Sequence, residues 1–248
     1  TPLYSSAASD VYKRQAMVLV SLAMSLSVYL CVVTLISSQA ARTIVSNSMN
    51  TDLVIKNDTG IKEKAKDRKD ILTGSIEKSI SSNQGVAEMH SIVFSEITIP
   101  WEPDLMEKWM KEFYAKWMSI PYKKDRKEYK EHPENFGTSM LGIDEDEFDH
   151  LNQTLDMPVS KNDFLAGKVC IVYRNGVELA DKDLIGKTVT CTLYRNLKKS
   201  KSFTVSGVTD DSYYTALLGY PPTLIVSDQV AKAFDAKAFI LKTGIRYK

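Results

Sequence analysis

The pattern of apolar and charged positions divides the chain into two unlike parts. Ala16 to Ile36 is a run of 21 residues without a charge, and the next charged residue is Arg42. A helix of that length spans roughly 32 Å, which is about the thickness of the hydrocarbon core of a bilayer. The pattern therefore predicts a transmembrane helix over residues 16–38. Residues 39–50 contain no Pro or Gly, so we expect the helix to continue as a stalk.

The apolar run is also compatible with two structures that do not span a membrane. Ser38-Gln39-Ala40 could serve as the cleavage site of a secretory signal peptide, although the apolar region of a signal peptide is typically about 7–15 residues long. The run could also be a buried helix of a soluble protein. Ser21 and Ser25 lie four residues apart, and small residues at that spacing allow membrane helices to pack closely. These two serines are the predicted helix-packing face.

The residues before the apolar run have a different character. Asp10 to Gln15 read DVYKRQ, which is the translation of a transposon end used to prepare sequencing libraries. We expect residues 1–15 to be an adapter artefact, and the alternative is a native basic flank. With the native flank missing, Lys and Arg do not predict the orientation of the helix.

Residues 51–248 mix helical and strand periods without regular alternation, which is typical of an α+β domain. Polar Arg195 to Lys201 is expected to be the loop of a hairpin, and Tyr122 to Glu131 is interpreted as a charge run. The last predicted strand lies close to Lys248, so we expect the domain to be truncated there. The predicted strands are 52–56, 86–99, 138–143, 168–173, 187–194, 202–208, 224–226 and 237–243, and the predicted helices are 61–83, one that opens at 103, 145–155 and 227–234.

Residues 100–135 look like a helical insertion with an apolar face. Five of its residues follow at i, i+3, i+4, i+7 and i+11, and these are Met106, Trp109, Met110, Phe113 and Trp117. Such a face either packs on its own domain or binds a substrate or partner, since Met and aromatic side chains adapt to varied surfaces. We take the five residues as the candidate substrate or partner surface.

Composition and motifs exclude several classes of function. Lys and Arg number 32 against 31 Asp and Glu, so the chain lacks the basic excess of a non-specific nucleic-acid binder. Gly186-Lys187-Thr188 lacks the Gly of a phosphate-binding loop five positions earlier, where Asp181 stands. No catalytic, cofactor or metal site is predicted.

Isolated polar and thiol residues are expected to have structural roles. His90, His132 and His150 lack metal-ligand spacing and are expected to be solvated. The acidic run that begins at Asp144 is expected to open a helix rather than to bind a cation. Cys170 and Cys191 are expected to be buried free thiols, although they could pair in an oxidising space.

Several stretches together resemble one family. SLAMSLSVYLCVVTLISSQA (21–40) is similar to the first transmembrane helix of FtsX-like, MacB-type ABC transporter permeases, and TDLVIKND (51–58) resembles the strand that begins their outer domain. Three later stretches resemble a strand pair and a strand followed by a helix, and these are DLIGKTVTCTL (183–193), FTVSGVTDD (203–211) and PPTLIVSDQVAKAF (221–234). The resemblance implies a MacB-like periplasmic core domain after the first helix.

The resemblance also implies a role. The first helix of the family enters from the cytoplasm, the outer domain is extracytoplasmic, and three more helices normally follow. A separate ATPase subunit hydrolyses ATP, and the permease works as a homodimer or heterodimer in membrane lipid. The cargo would be a peptide, a lipoprotein or a hydrophobic compound. The resemblance therefore implies a fragment of a permease that is not itself an enzyme and needs no cofactor.

Two further functions stay open at this point. The first is a single-pass membrane-anchored sensor or binding domain without transport activity, which would share every feature of the sequence. The second is a secreted enzyme behind a signal peptide, which would require cleavage after Ala40 and a catalytic cluster that the spacing of residues does not indicate.

Overall fold

A computed structural model describes residues 3–49, 51–57, 71–118, 122–194, 196–216, 220 and 222–248. The chain forms two compact units, Thr1–Asn47 and Ser48–Lys248. The first consists of one helix and the second is a mixed α+β domain, which is the predicted fold class.

Helix α1 spans Leu3–Met49 without a break. Its segment Val11–Ser37, in which an 18-residue window has a mean hydropathy of 2.4, is long and apolar enough to cross a membrane. The apolar side chains of this segment are exposed in the structure, as expected for a helix whose partner is lipid or another helix. The helix also includes residues 39–49 of the predicted stalk, and Asn50 lies outside the described residues.

The second unit is built on an eight-stranded sheet with the order β1-β8-β2-β3-β7-β4-β6-β5. Strand β2 also pairs with β5, so six strands from β2 to β5 form a closed ring of paired neighbours. Strands β8 and β1 extend the sheet beyond this ring. The strands are β1 (Leu53–Lys56), β2 (Val86–Thr98), β3 (Gly137–Ile143), β4 (Val169–Tyr173), β5 (Thr188–Leu193), β6 (Asn196–Thr209), β7 (Thr223–Ser227) and β8 (Phe239–Tyr247).

Alternating residues of the strands contribute side chains to two separate apolar cores. The first core joins the sheet to three helices, α3 (Pro103–Trp117), α4 (Tyr122–Glu131) and α7 (Asp228–Phe234). The second core lies on the other face of the strands and holds α5 (Glu145–Thr154) and α6 (Lys161–Leu165). Helix α2 (Gly74–Ser81) has no buried residue.

Close backbone packing fixes α7 on the first face. A side-chain carbon added to Gly142 of β3 would lie 2.8 Å from Ala231 Cβ and 2.8 Å from Asp228 Cα. Only glycine leaves room for α7 at that distance, so the helix can lie directly on the strand.

Most predicted elements are present, and three regions differ from the expectation or add to it. The charge run Tyr122–Glu131, for which the sequence pattern predicts no element of its own, is a helix, because Tyr129 anchors it in the core. Strand β6 begins at Asn196, so most of the expected hairpin loop is a strand that pairs with β5. The predicted helix 61–83 is observed as Gly74–Ser81, and residues 58–70 lie outside the described part of the chain.

Candidate functional site

The candidate surface on α3 is mostly buried in this structure. Met106 and Trp109 are 0% exposed, and Met110 and Phe113 are buried beside them in the first core. Trp117 alone is exposed, at 58%. A substrate or partner contact through the other four residues would require α3 to leave the core. The contact hypothesis stays a prediction, and Trp117 is the residue that offers surface for it.

Helix α4 covers part of the same region. The Tyr129 hydroxyl donates to the Ile99 carbonyl oxygen over 2.8 Å, and the ring of Tyr129 contacts Trp101 with 5.4 Å between centroids. The charged groups of Arg126 and Lys130 lie 5.9 and 5.0 Å from the Trp101 ring centroid. Helices α3 and α4 therefore form a layer in which Trp101, Trp109 and Tyr129 serve packing.

A polar site lies on the opposite face, beside α5. It is a cleft of about 390 Å³ with acidic, histidine and amide side chains in its wall. Helix α5 and strand β2 supply all of them. The lining residues are Glu88, His90, Asp146, Glu147, Asp149, His150 and Gln153.

A histidine–aspartate pair joins the sheet to the start of α5. Nδ1 of His90, on β2, lies 3.3 Å from both carboxylate oxygens of Asp144. Asp144 is the N-cap of α5, and its side chain accepts a hydrogen bond from the Glu147 backbone N–H over 2.8 Å. The acidic run thus opens a helix, as predicted.

This pair shifts the titration of both partners. The hydrogen bond to Asp144 raises the pKa of His90, although burial opposes it. Burial acts against ionisation of Asp144, but its hydrogen bonds from His90 and the Glu147 backbone outweigh burial and lower its pKa. The expectation that His90 is solvated is wrong, because its side chain is only 13% exposed. His132 is 58% exposed, as expected.

Glu147 is the most deeply buried acid of the site. It is 2% exposed, and its Oε1 accepts a hydrogen bond from the Tyr214 hydroxyl over 2.5 Å. Tyr214 is itself fully buried and follows β6 in a short 3₁₀ turn, Ser212–Tyr214. Burial raises the pKa of Glu147 to about 7, against the opposing effects of Tyr214 and His90.

Lys242 of β8 is a buried cation on the same side of the domain. It is 6% exposed, its Nζ donates to the Tyr213 carbonyl oxygen, and it lies 3.8 Å from the centroid of the Tyr213 ring. Burial lowers the pKa of Lys242 to about 8, and Lys56 on the neighbouring strand acts in the same direction. Asp211 and Glu147 are the acids that favour its charged form.

The chemistry available in the cleft is that of proton binding. In the cleft, the hydrogen bond to Asp144 raises the pKa of His90 and burial raises the pKa of Glu147 to about 7, while burial lowers the pKa of nearby Lys242 to about 8. Within the described ranges, no three His, Cys, Asp or Glu residues are grouped so that they could hold a metal ion. Spacing along the sequence gives no sign of the cleft, because His90 and Asp144 are 54 positions apart.

The two thiols of the domain are unreactive. Cys170 and Cys191 are free and buried, as the sequence predicts. Burial raises the pKa of Cys191 to about 12 and raises the pKa of Cys170 further still. Buried thiols in apolar surroundings are poor nucleophiles, so neither is a catalytic candidate.

Ser21 and Ser25, the predicted packing face, both lie in helix α1. The Ser25 hydroxyl donates to the Ser21 carbonyl oxygen over 2.8 Å, and Ser27 does the same to Ala23 over 2.9 Å. These bonds to the preceding turn satisfy the hydroxyl donors within the helix. Contact of this face with another helix stays a prediction.

Among the solved structures that match this chain, two do so at 12% and 13% identity. The extracellular domain of the noncanonic ABC-type transporter YknZ from Gram-positive bacteria matches with a TM-score of 0.38 and 12% identity, over 79% of this chain and 82% of that chain. The periplasmic region of MacB from Actinobacillus actinomycetemcomitans matches with a TM-score of 0.39 and 13% identity, over 79% of this chain and 73% of that chain. No family model and no curated protein matches the sequence.

Proposed function

We propose that the chain is the first membrane helix and the extracytoplasmic domain of an ABC transporter permease. The observation that carries the proposal is a helix of membrane-spanning length followed by an α+β domain whose first and last strands are paired neighbours. The resemblance of the sequence to MacB-type permeases supplies the family.

The pairing of the outer strands supports the insertion of this domain into a membrane protein. Strand β1 pairs antiparallel with β8, and Leu53 lies opposite Ile245. The Asp52 backbone N–H donates to the Ile245 carbonyl oxygen over 2.8 Å, and the Tyr247 N–H donates to the Asp52 carboxylate over 2.7 Å. Residues 53 and 245 therefore lie side by side in the sheet. A domain connected to the membrane near these two points would fit between two membrane helices without a long connection.

The proposal assigns a separate role to each part of the transporter. A separate ATPase subunit on the cytoplasmic side hydrolyses ATP, and the permease pairs with a second permease chain in the membrane. Helix α1 carries the motion to the outer domain, which binds cargo or a partner protein. The cargo class is a peptide, a lipoprotein or a hydrophobic compound. The domain itself has no catalytic role.

The source DNA across this locus provides the first test. The proposal predicts three further hydrophobic segments downstream of Lys248, and a neighbouring reading frame with a complete phosphate-binding loop. A stop codon soon after Lys248, or a kinase-like module there, would contradict it. That result would favour the single-pass sensor, in which the outer domain reports binding without transport.

A further inference from the structure

We propose that Glu147 is a proton-operated latch on helix α5. When its carboxyl group is protonated, it holds the first turn of α5 against Tyr214 and the sheet, and ionisation releases that turn towards the cleft. The latch belongs to the domain alone and does not depend on the proposed transport function.

The latch is defined by where Glu147 lies. The side chain belongs to the wall of the 390 Å³ cleft, yet it is only 2% exposed because it is drawn inward to the Tyr214 hydroxyl. A small outward movement of the first turn would bring the carboxylate into the cleft and into contact with water. Ionisation favours that movement, because a charged carboxylate loses hydration energy when buried.

Charged and titratable groups face Glu147 from each element around it. His90 faces it from β2, Asp144 from the start of its own helix, and Lys242 from β8. Asp211, Tyr213 and Tyr214 face it from the segment after β6. The hydrogen bond from Tyr214 and the charges of His90 and Lys242 favour the ionised carboxylate. Asp144 and Asp211 oppose it, and burial, which also opposes it, is the largest influence.

The histidine pair acts on the same turn and in the same direction. Protonated His90 forms an ion pair with Asp144, which caps α5, so acid strengthens the tie between β2 and the helix. The rest of α5 is held independently of protons, since Phe148 stacks on Phe164 of α6 with 4.3 Å between centroids. The released part is therefore the first turn rather than the whole helix.

The reporters of this movement are two backbone amides. The Glu147 N–H donates to the Asp144 carboxylate over 2.8 Å, and the Phe148 N–H donates to the Asp144 carbonyl oxygen over 3.0 Å. Both bonds break when the first turn opens. The Asp235 N–H, which donates to the Ala231 carbonyl oxygen of α7 over 2.8 Å, is the internal control.

The direction of the effect follows from proton linkage. Glu147 has a pKa of about 7 when buried and an ordinary pKa near 4.5 when exposed, so the closed turn holds a proton that the open turn releases. The opening constant should therefore rise about tenfold per pH unit between about pH 5 and 7 and level off above that range. The raised pKa of His90 adds a smaller rise above pH 6.5.

Hydrogen exchange of the full chain in detergent micelles tests the latch. After correction for intrinsic exchange, the two α5 amides should show this rise, while the α7 amide stays flat. Glu147→Gln should abolish the rise between pH 5 and 6.5 and should leave the smaller rise that His90 adds above pH 6.5. Tyr214→Phe should keep the slope and raise the opening constant at pH 5, because the closed turn loses its hydrogen bond.

Three results would overturn the proposal. If the opening constant of the two α5 amides in the wild type does not change between pH 5 and 7, the latch is excluded. This result needs no variant, so the test does not depend on whether Glu147→Gln folds. An unchanged slope in Glu147→Gln would assign the titration to another group. Unchanged opening at pH 5 in Tyr214→Phe would remove Tyr214 as the group that holds the turn.

Discussion

Ile97 of β2 lies opposite Leu193 of β5, and this contact closes the sheet on itself. The adjacent pair Thr98 and Thr192 continues the register, and the Tyr194 backbone N–H donates to the Glu96 carbonyl oxygen over 3.2 Å. Strand β2 therefore has β8 on one side over its first part and both β3 and β5 near its end. The closed ring encloses the first core, and Ile97 is fully buried within it.

The packing of α7 on this ring depends on Gly142. Replacement of Gly142 by Ala should destabilise the domain by about 1–3 kcal/mol, because the new methyl group would overlap Ala231 and the Asp228 backbone. Denaturant unfolding of the purified chain in detergent, followed by tryptophan fluorescence, measures the loss. Gly74→Ala is the matched control, since no atom lies within 4 Å of the added carbon. Equal stability of the two variants would contradict the packing.

Replacing a tryptophan of α3 by alanine should have a different effect on stability at each of the two positions, Trp109 and Trp117. Trp109→Ala should cost about 3–5 kcal/mol of unfolding free energy, because the side chain is fully buried in the first core. Trp117→Ala should change stability by less than about 0.5 kcal/mol, because the side chain is largely exposed.

Unfolding curves of the two tryptophan variants, measured by circular dichroism, test this contrast. If Trp117→Ala unfolded the domain as Trp109→Ala does, then Trp117 would belong to the core. If Trp117→Ala stays folded, the same variant can be used to test whether Trp117 contacts a cargo or partner. Weaker capture of a cargo or partner by that folded variant would assign Trp117 to the contact surface.

Lys242 should make the free energy of unfolding of the domain rise with pH in the alkaline range. Its pKa is lowered to about 8, so the folded state releases a proton from Lys242 that the unfolded state holds up to about pH 10.5. The contribution of Lys242 to stability is therefore least favourable below pH 8 and improves as pH rises towards 10.5. Integrated over that interval, the improvement is about 3 kcal/mol.

Comparison with Lys242→Met isolates this effect, because the variant keeps the length of the side chain and has no charge. From pH 8 to 10.5, the unfolding free energy of the wild type should rise by about 3 kcal/mol relative to that of the variant. The lost hydrogen bond to Tyr213 adds a constant offset to the difference between the two free energies. A difference that does not vary with pH would show that Lys242 titrates at its ordinary pKa.

The side of the membrane on which the domain lies can be measured with one added thiol. Glu178→Cys places a cysteine where the native side chain is 91% exposed. Cys170 and Cys191 are buried, and Cys31 lies in the apolar segment of α1, where lipid would shield it from an aqueous reagent, so none of the three should be labelled. A membrane-impermeant maleimide should label the variant in intact bacterial cells and should not label the wild type. Labelling that requires permeabilised cells would place the domain in the cytoplasm.

The sequence predicts those elements whose signal is local. Strands such as Val169–Tyr173 are runs of β-branched residues, and the apolar face of α3 is visible as a helical period. Helix α4 escapes prediction because Tyr129 is its only buried residue and the rest is strongly polar. The start of β6 is polar for a different reason, since its partner β5 supplies backbone hydrogen bonds rather than an apolar surface.

Long-range relationships are beyond what the sequence pattern can supply. The pairing of Ile97 with Leu193 joins residues almost a hundred positions apart, and no turn signal connects them. The polar cleft is similar, because His90 stands in a strand and has no visible partner in the sequence until α5 brings Asp144 to it. The burial of Glu147 follows from its contact with Tyr214, which the helical period of α5 does not reveal.

The central claim is that this domain belongs to a permease driven by a separate ATPase. The most direct measurement is affinity purification of the native protein from detergent-solubilised membranes of its source, followed by an ATP hydrolysis assay. The account predicts that a second polypeptide with a complete phosphate-binding loop purifies with it and hydrolyses ATP, and that substitution of the loop lysine abolishes the activity. Purification of the protein with no ATP-hydrolysing partner would contradict the account.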